Sequence, residues 1–181
     1  RQIVWERMMC SLEITKRCAD LNRVVDGRTL DDDGNVLLKF NNGANGLLMA
    51  SQIATGEENA LTIKVYGETG GLEWHQEEPN TMIVKWLNQP AQVYRTGNGY
   101  MSSFAQHNTR TPSGHPEGYL EAFANIYRNF ALTLSAKLAG ETPSEEMLDF
   151  PTSEDGIRGM AFIENVVASG QSEQKWFDFK I

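Results

Sequence analysis

Cysteine is scarce in this chain: Cys10 and Cys18 are the 2 cysteines in 181 residues, and neither has the C-x-x-C spacing or nearby histidine that a metal site or redox pair needs. Two free thiols suit a reducing compartment, so a cytoplasmic protein is expected. No apolar run approaches the roughly 18 to 20 residues of a membrane span, and no basic-then-apolar leader opens the chain. Basic runs are missing as well. Lys and Arg number 16 against 24 Asp and Glu, a formal charge of -8, which argues against a nucleic-acid surface. Also absent are a Walker-type loop, a G-x-S-x-G elbow and an H-E-x-x-H pair, so neither a bound metal nor a nucleophilic serine is expected.

What is present fits a globular domain. The hydrophobic fraction of 40% and charged fraction of 22% are ordinary, and the length suffices for one domain with a real core. Residues 1–10 show no clean period and are set aside as an edge segment, leaving 11–181 as a single domain. Alternating apolar and polar residues predict strands over 12–22, 36–40, 46–54, 60–66, 72–76, 81–87 and 91–96, punctuated by Asp33-Gly34, Asn42-Gly43 and Pro79-Asn80 as turns. The aspartates Asp31, Asp32 and Asp33 lack calcium-loop spacing. Two helices follow. In the first, Pro116 suits the opening position, and Leu120, Phe123, Tyr127, Phe130, Leu134 and Leu138 make an apolar stripe that needs a sheet to lie on. The second is announced by Thr152 or Ser153 as a cap and stopped by Gly170, and Lys175 to Ile181 reads as a last strand. Strands followed by helices give an α+β fold, a large mostly antiparallel sheet with helices packed on one face. Leu37, Leu47, Met82, Val84 and their neighbours put apolar residues on both faces, so the other face is expected to pair with a second copy or another domain.

The search for chemistry leaves one residue standing. Gly97-Asn98-Gly99 lacks the third glycine of a dinucleotide loop and runs into 102–114, read as non-helical. Adjacent Glu77 and Glu78 beside Pro79 form a solvated turn rather than a catalytic pair. His75 reads as a surface residue of its strand, and His107 has no partner in view. His115, by contrast, sits where a helix opens, beside unpaired backbone donors that suit an anion or polar substrate.

The stretch from Leu30 to Gln76, above all ENALTIKVYGETGGLEW, followed by GHPEGYLEAF, resembles the C-terminal domain of the Gfo/Idh/MocA oxidoreductases, the family of glucose-fructose oxidoreductase and inositol dehydrogenase. The resemblance implies an NAD- or NADP-dependent parent acting on a sugar, polyol or cyclitol hydroxyl, with the cofactor held by an upstream Rossmann domain and the sheet pairing subunits into a homo-oligomer. It places the loop Glu57, Glu58 and Asn59 against substrate, where some relatives have a tyrosine. The family's D-x-x-x-H pair is missing: Gly71, Ser103 and Thr111 stand four residues before His75, His107 and His115. No catalytic residue is therefore assigned here, and the chain by itself is expected to be inactive. The alternative is a stand-alone, non-catalytic binding or oligomerisation module with the same fold.

Overall fold

A computed structural model describes residues 12–181, so the edge segment 1–10 lies outside the described residues. In chain order they form β1 (Ile14–Asn22), β2 (Asp33–Phe40), β3 (Asn45–Ser51), β4 (Thr62–Tyr66), β5 (Gly70–His75), β6 (Thr81–Trp86) and β7 (Gln92–Arg95). Then come α1 (Ser103–His107), α2 (Tyr119–Leu138), a 3-10 turn (Glu146–Leu148), α3 (Ser153–Gly170) and β8 (Phe177–Asp178). The fold is α+β with antiparallel sheets, as the strand-then-helix order predicts. The strands are shared between two four-stranded sheets, β3-β2-β1-β8 and β4-β5-β6-β7, instead of one large sheet. The chain divides into two compact units: residues up to Gly56 with Thr152–Ile181, and Glu57–Pro151.

In the first unit, alternation along β2 turns Val36 and Leu38 to one face, where Val166 of α3 meets them, with Ile14, Ala19, Leu21, Phe40 and Phe162 around. Burying each of these three aliphatic side chains contributes about 1.5–3 kcal/mol. Arg17 shares that covered face and is only 4% exposed. Its Nε donates to the Asn165 carbonyl at 2.9 Å, its Nη1 donates to the Asp178 carbonyl, and the guanidinium lies 5.4 Å from the Phe177 ring centre. One side chain thus joins β1, α3 and β8. Thr152 caps α3, accepting from the Asp155 N–H while the Asp155 carboxylate accepts from the Thr152 N–H at 2.8 Å.

Two glycines in this unit serve packing, where the sequence suggested a turn and a stop. Gly34 lies inside β2 opposite Leu21, and a Cβ there would meet Leu21 Cδ2 at 2.8 Å. Gly170 is the last residue of α3, and its Cβ would meet Leu21 Cγ at 2.8 Å. Leu21 fills the space that both glycines leave. The β1–β2 connection therefore runs from Arg23 to Asp32, held by Asp32, whose carboxylate accepts from the Val24 and Val25 N–H groups at 2.8 and 3.0 Å and pairs with Arg28 at 3.4 Å. On the opposite sheet face Leu37, Leu47 and Met49 are exposed, as the two-faced pattern anticipated.

In the second unit β4 to β7 form a meander in sequence order. The stretch read as non-helical contains α1, with Ser102 accepting from the Ala105 N–H at 3.3 Å. α2 starts at Tyr119, not Pro116: Gly118 is its cap, and Glu121 accepts the Gly118 N–H at 2.8 Å. The residues α2 buries are polar, Asn129 and Thr133. Asn129 Nδ2 donates to Asn108 Oδ1 at 2.9 Å and to the Asp149 carbonyl at 3.1 Å, while Thr133 donates to the Met147 carbonyl at 2.7 Å. Along the apolar stripe Leu120, Tyr127 and Leu138 are 78%, 72% and 80% exposed.

Candidate functional site

The meander registers gather the predicted residues at one end of the β4–β7 sheet. Thr62 at the start of β4 faces His75 at the end of β5, and Thr81 at the start of β6 faces Arg95 at the end of β7. Loop 57–61, turn 76–80 and the residues after Arg95 therefore emerge together. The turn is bonded to both candidate loops. Gln76 donates from its N–H to the Leu61 carbonyl at 2.9 Å and from Nε2 to the Asn59 carbonyl at 3.3 Å. Asn80 donates from Nδ2 to the Glu117 carbonyl at 2.7 Å and accepts the Glu117 N–H on Oδ1 at 3.1 Å. Thr96 donates to the same oxygen at 2.9 Å.

Glu57, Glu58 and Asn59 are exposed, and the backbone that carries them is specific. Glu58 adopts φ 52, a left-handed conformation unusual for a residue with a side chain. The Ala60 N–H returns to the Glu57 carbonyl at 3.1 Å, closing the turn. The two carboxylates and the Asn59 amide make no side-chain hydrogen bond among the described residues, so their bonding capacity faces outward.

His115 is exposed on the loop before α2, three residues ahead of the helix cap rather than at it. Its N–H donates to the Pro112 carbonyl at 3.2 Å, its carbonyl lies 3.2 Å from Thr111 Oγ1, and its imidazole has no bond among the described residues. Behind it stands Glu117. One carboxylate oxygen accepts the Arg110 N–H at 2.6 Å, the Thr111 hydroxyl at 2.8 Å and the Thr111 N–H. Burial pushes the Glu117 carboxyl up, but the bonds from Thr111 and Arg110 outweigh it and hold the group below the ordinary carboxylate range. Gly97, at φ +75, lets the turn after β7 pass this loop: a Cβ there would lie 2.6 Å from the Ser113 nitrogen.

The other histidines are engaged by neighbouring side chains. His75 bridges Thr62 Oγ1 at 3.2 Å and Glu73 Oε1 at 2.9 Å on the sheet surface. Glu73 also bonds Lys85 and lies 3.5 Å from Lys64, and these partners, Lys85 first and His75 second, lower its carboxyl to about 2. His107 has partners that its local sequence does not reveal: Nε2 lies 3.0 Å from Asn129 Oδ1 and 3.0 Å from Arg128 Nη1. Glu77 and Glu78 lie in the turn before β6, as read. Among the described residues, no group of three or more His, Cys, Asp or Glu side chains is placed to hold a metal ion.

Nor do the described residues fit a dinucleotide. Every strand pairing is antiparallel, so no strand of a parallel βαβ unit runs into a helix N-terminus, and Gly97–Gly99 leads only to the five-residue α1. Sequence reasoning singled out Glu57, Glu58, Asn59 and His115 as candidates and did not single out Asn80, which ties turn 76–80 to the His115 loop. Its signal was only an asparagine after a proline at a turn.

Residues 10–179 match the family model of the Gfo/Idh/MocA proteins described as oxidoreductase family, C-terminal alpha/beta domain. The chain belongs to this family. It is 30% identical over 174 residues to the uncharacterized oxidoreductase YfiI of Bacillus subtilis (strain 168), covering 96% of this chain and 44% of that protein. An oxidoreductase from Sinorhizobium meliloti is 40% identical with a TM-score of 0.84, covering 92% of this chain and 46% of that one. An inositol dehydrogenase homolog from Azotobacter vinelandii, solved with NADH and myo-inositol, is 29% identical with a TM-score of 0.86, covering 98% of this chain and 47% of that one. The chain spans about half the length of these Gfo/Idh/MocA relatives.

Proposed function

We propose that this chain is the substrate-binding and assembly domain of an NAD(P)-dependent oxidoreductase acting on a sugar, polyol or cyclitol hydroxyl, with Glu57, Glu58, Asn59 and His115 facing the substrate. The observation that carries the reading is the near-complete match of the chain to a structure described as an inositol dehydrogenase homolog with NADH and myo-inositol. The chemistry of the loop end is compatible. Carboxylates accept hydrogen bonds from hydroxyls, an amide both donates and accepts, and a neutral imidazole can do either, which matches a ring of alternating hydroxyl groups. These groups bind and orient. With no dinucleotide cradle among the described residues, NAD or NADP belongs to a Rossmann domain of the parent, and the chain by itself is inactive. The exposed face with Leu37, Leu47 and Met49 and the outward stripe of α2 are the surfaces we assign to subunit or domain pairing, in a cytoplasmic parent. No helix among the described residues is long and apolar enough to cross a membrane.

The test is a fluorescence titration of NADH and NADPH into the purified 181-residue chain, with and without myo-inositol and common aldoses. The expected result is no nucleotide binding, together with saturation-transfer signals from a polyol that weaken in His115→Ala and in the Glu57→Ala, Glu58→Ala double variant. Tight binding of either nucleotide would sink the assignment of the cofactor to the other half. Absence of polyol signals, with self-association intact, would favour a non-catalytic assembly module.

A further inference from the structure

We propose that Glu117 is a positioning residue for His115, its carboxylate locking the Arg110–Thr111 backbone so that the imidazole is presented in one orientation at the loop end of the β4–β7 sheet. The proposal rests on reading His115 as a substrate contact. The loop is tied at three places. Glu117 holds Arg110 and Thr111, Asn80 holds the Glu117 backbone on both its N–H and its carbonyl, and Gly97 admits the Pro112–Ser113 backbone against the turn after β7. Thr111 extends the connection to the histidine, since the hydroxyl that reaches the Glu117 carboxylate also lies 3.2 Å from the His115 carbonyl. The Arg110 side chain is anchored in turn, donating from Nε and Nη2 to Asn125 Oδ1 of α2 at 3.0 and 2.7 Å.

The purpose of so many ties follows from what they leave loose. The only polar side chain on 112–116 besides Ser113 is the His115 imidazole, which is exposed and bonded to nothing among the described residues. A stability device would bury its central residue, whereas this one fixes the backbone under an exposed ring. Fixing the ring before a ligand arrives removes part of the ordering cost of binding. Among the described residues, the groups bonded to Glu117 are Arg110 and Thr111 of its own loop and Asn80 of the β5–β6 turn, and the Glu121 carboxylate lies next to it on the Gly118 N–H.

Nuclear magnetic resonance of the 181-residue chain tests this. The His115 ring resonances and the Arg110 and Thr111 amides are followed from neutral to acid pH in wild type, Glu117→Gln and Glu117→Ala. In wild type the ring resonances report an acidic step as Glu117 takes up its proton, and the two amides lose about tenfold in exchange protection across it. In E117Q the acidic step vanishes while part of the protection survives, because the amide oxygen still accepts; E117A loses both. An acidic His115 step that persists in E117Q, or unchanged protection in E117A, overturns the proposal. Should E117A fail to fold, Thr111→Val removes one of the three bonds and is expected to lower protection about threefold. Saturation transfer from myo-inositol separates the two layers of the argument: no loss of signal in His115→Ala defeats the substrate reading, while the acidic step still decides whether Glu117 positions the ring.

Discussion

The two units of this chain treat their helices in opposite ways. In the unit of β1, β2, β3 and β8, α3 turns Val166 inward onto Val36 and Leu38, and the core is aliphatic around one buried arginine. In unit 57–151, α2 buries Asn129 and Thr133 and turns its apolar side chains outward. The first unit buries the apolar sheet face that α3 covers and leaves Leu37, Leu47 and Met49 exposed on the other. The second is held on its helical side by hydrogen bonds and leaves the apolar stripe of α2 exposed, and it is the unit that carries all four candidate site residues. Polar networks fix geometry because their bonds are directional, while an aliphatic contact tolerates sliding. A unit that must hold loops at fixed positions gains from the first kind of contact.

The contrast can be broken most strongly at Arg17. Arg17→Ala strips the charged donor from the Asn165 and Asp178 carbonyls and is expected to cost about 3–4 kcal/mol, read as a lower urea midpoint. Gly170→Val, which drives a side chain into Leu21, is expected to cost about 2–3 kcal/mol and to loosen α3 from β1 in amide exchange. In the other unit Asn129→Leu leaves the Asp149 carbonyl and Asn108 without their donor, with an expected loss of about 2 kcal/mol that chemical denaturation would measure.

Acid sharpens the comparison. The Glu73 carboxyl titrates at about 2 in the folded chain against 4.5 ordinarily, so its contribution is full above pH 4.5 and fades as pH falls toward 2. Glu73→Gln should flatten that limb of the pH–stability curve in the second unit and leave the first unit unchanged. The smallest effect on stability is expected from Leu120→Ser with Tyr127→Ser, within about 0.5 kcal/mol because both side chains are exposed. If α2 is a pairing surface, light scattering should nevertheless show weaker self-association in this double variant.

The strands from β1 to β7 and the long helices were legible because alternation and the three-to-four spacing survive in any single stretch of chain. The errors are equally specific. Asp33-Gly34 has the composition of a hairpin turn, yet Gly34 is in β2 because Leu21, thirteen residues away, needs its space. Pro116 has the chemistry of a helix start, yet Asn80 holds the Glu117 backbone on both sides and delays the helix to Tyr119. His107 looked solitary because Asn129 is distant in sequence.

Periodicity, composition and the family blocks by themselves determined the α+β class, the strand-then-helix order and the family. Those are properties of short segments, fixed by which face of a strand or helix each side chain must take. Only the tertiary structure decided that the strands part into two sheets, that Arg17 is buried, and that loop 57–61, turn 76–80 and the His115 loop meet at one sheet end. Each of these depends on contacts between residues far apart in the chain, where one missing Cβ or one bifurcated amide selects among arrangements that local pattern leaves equal.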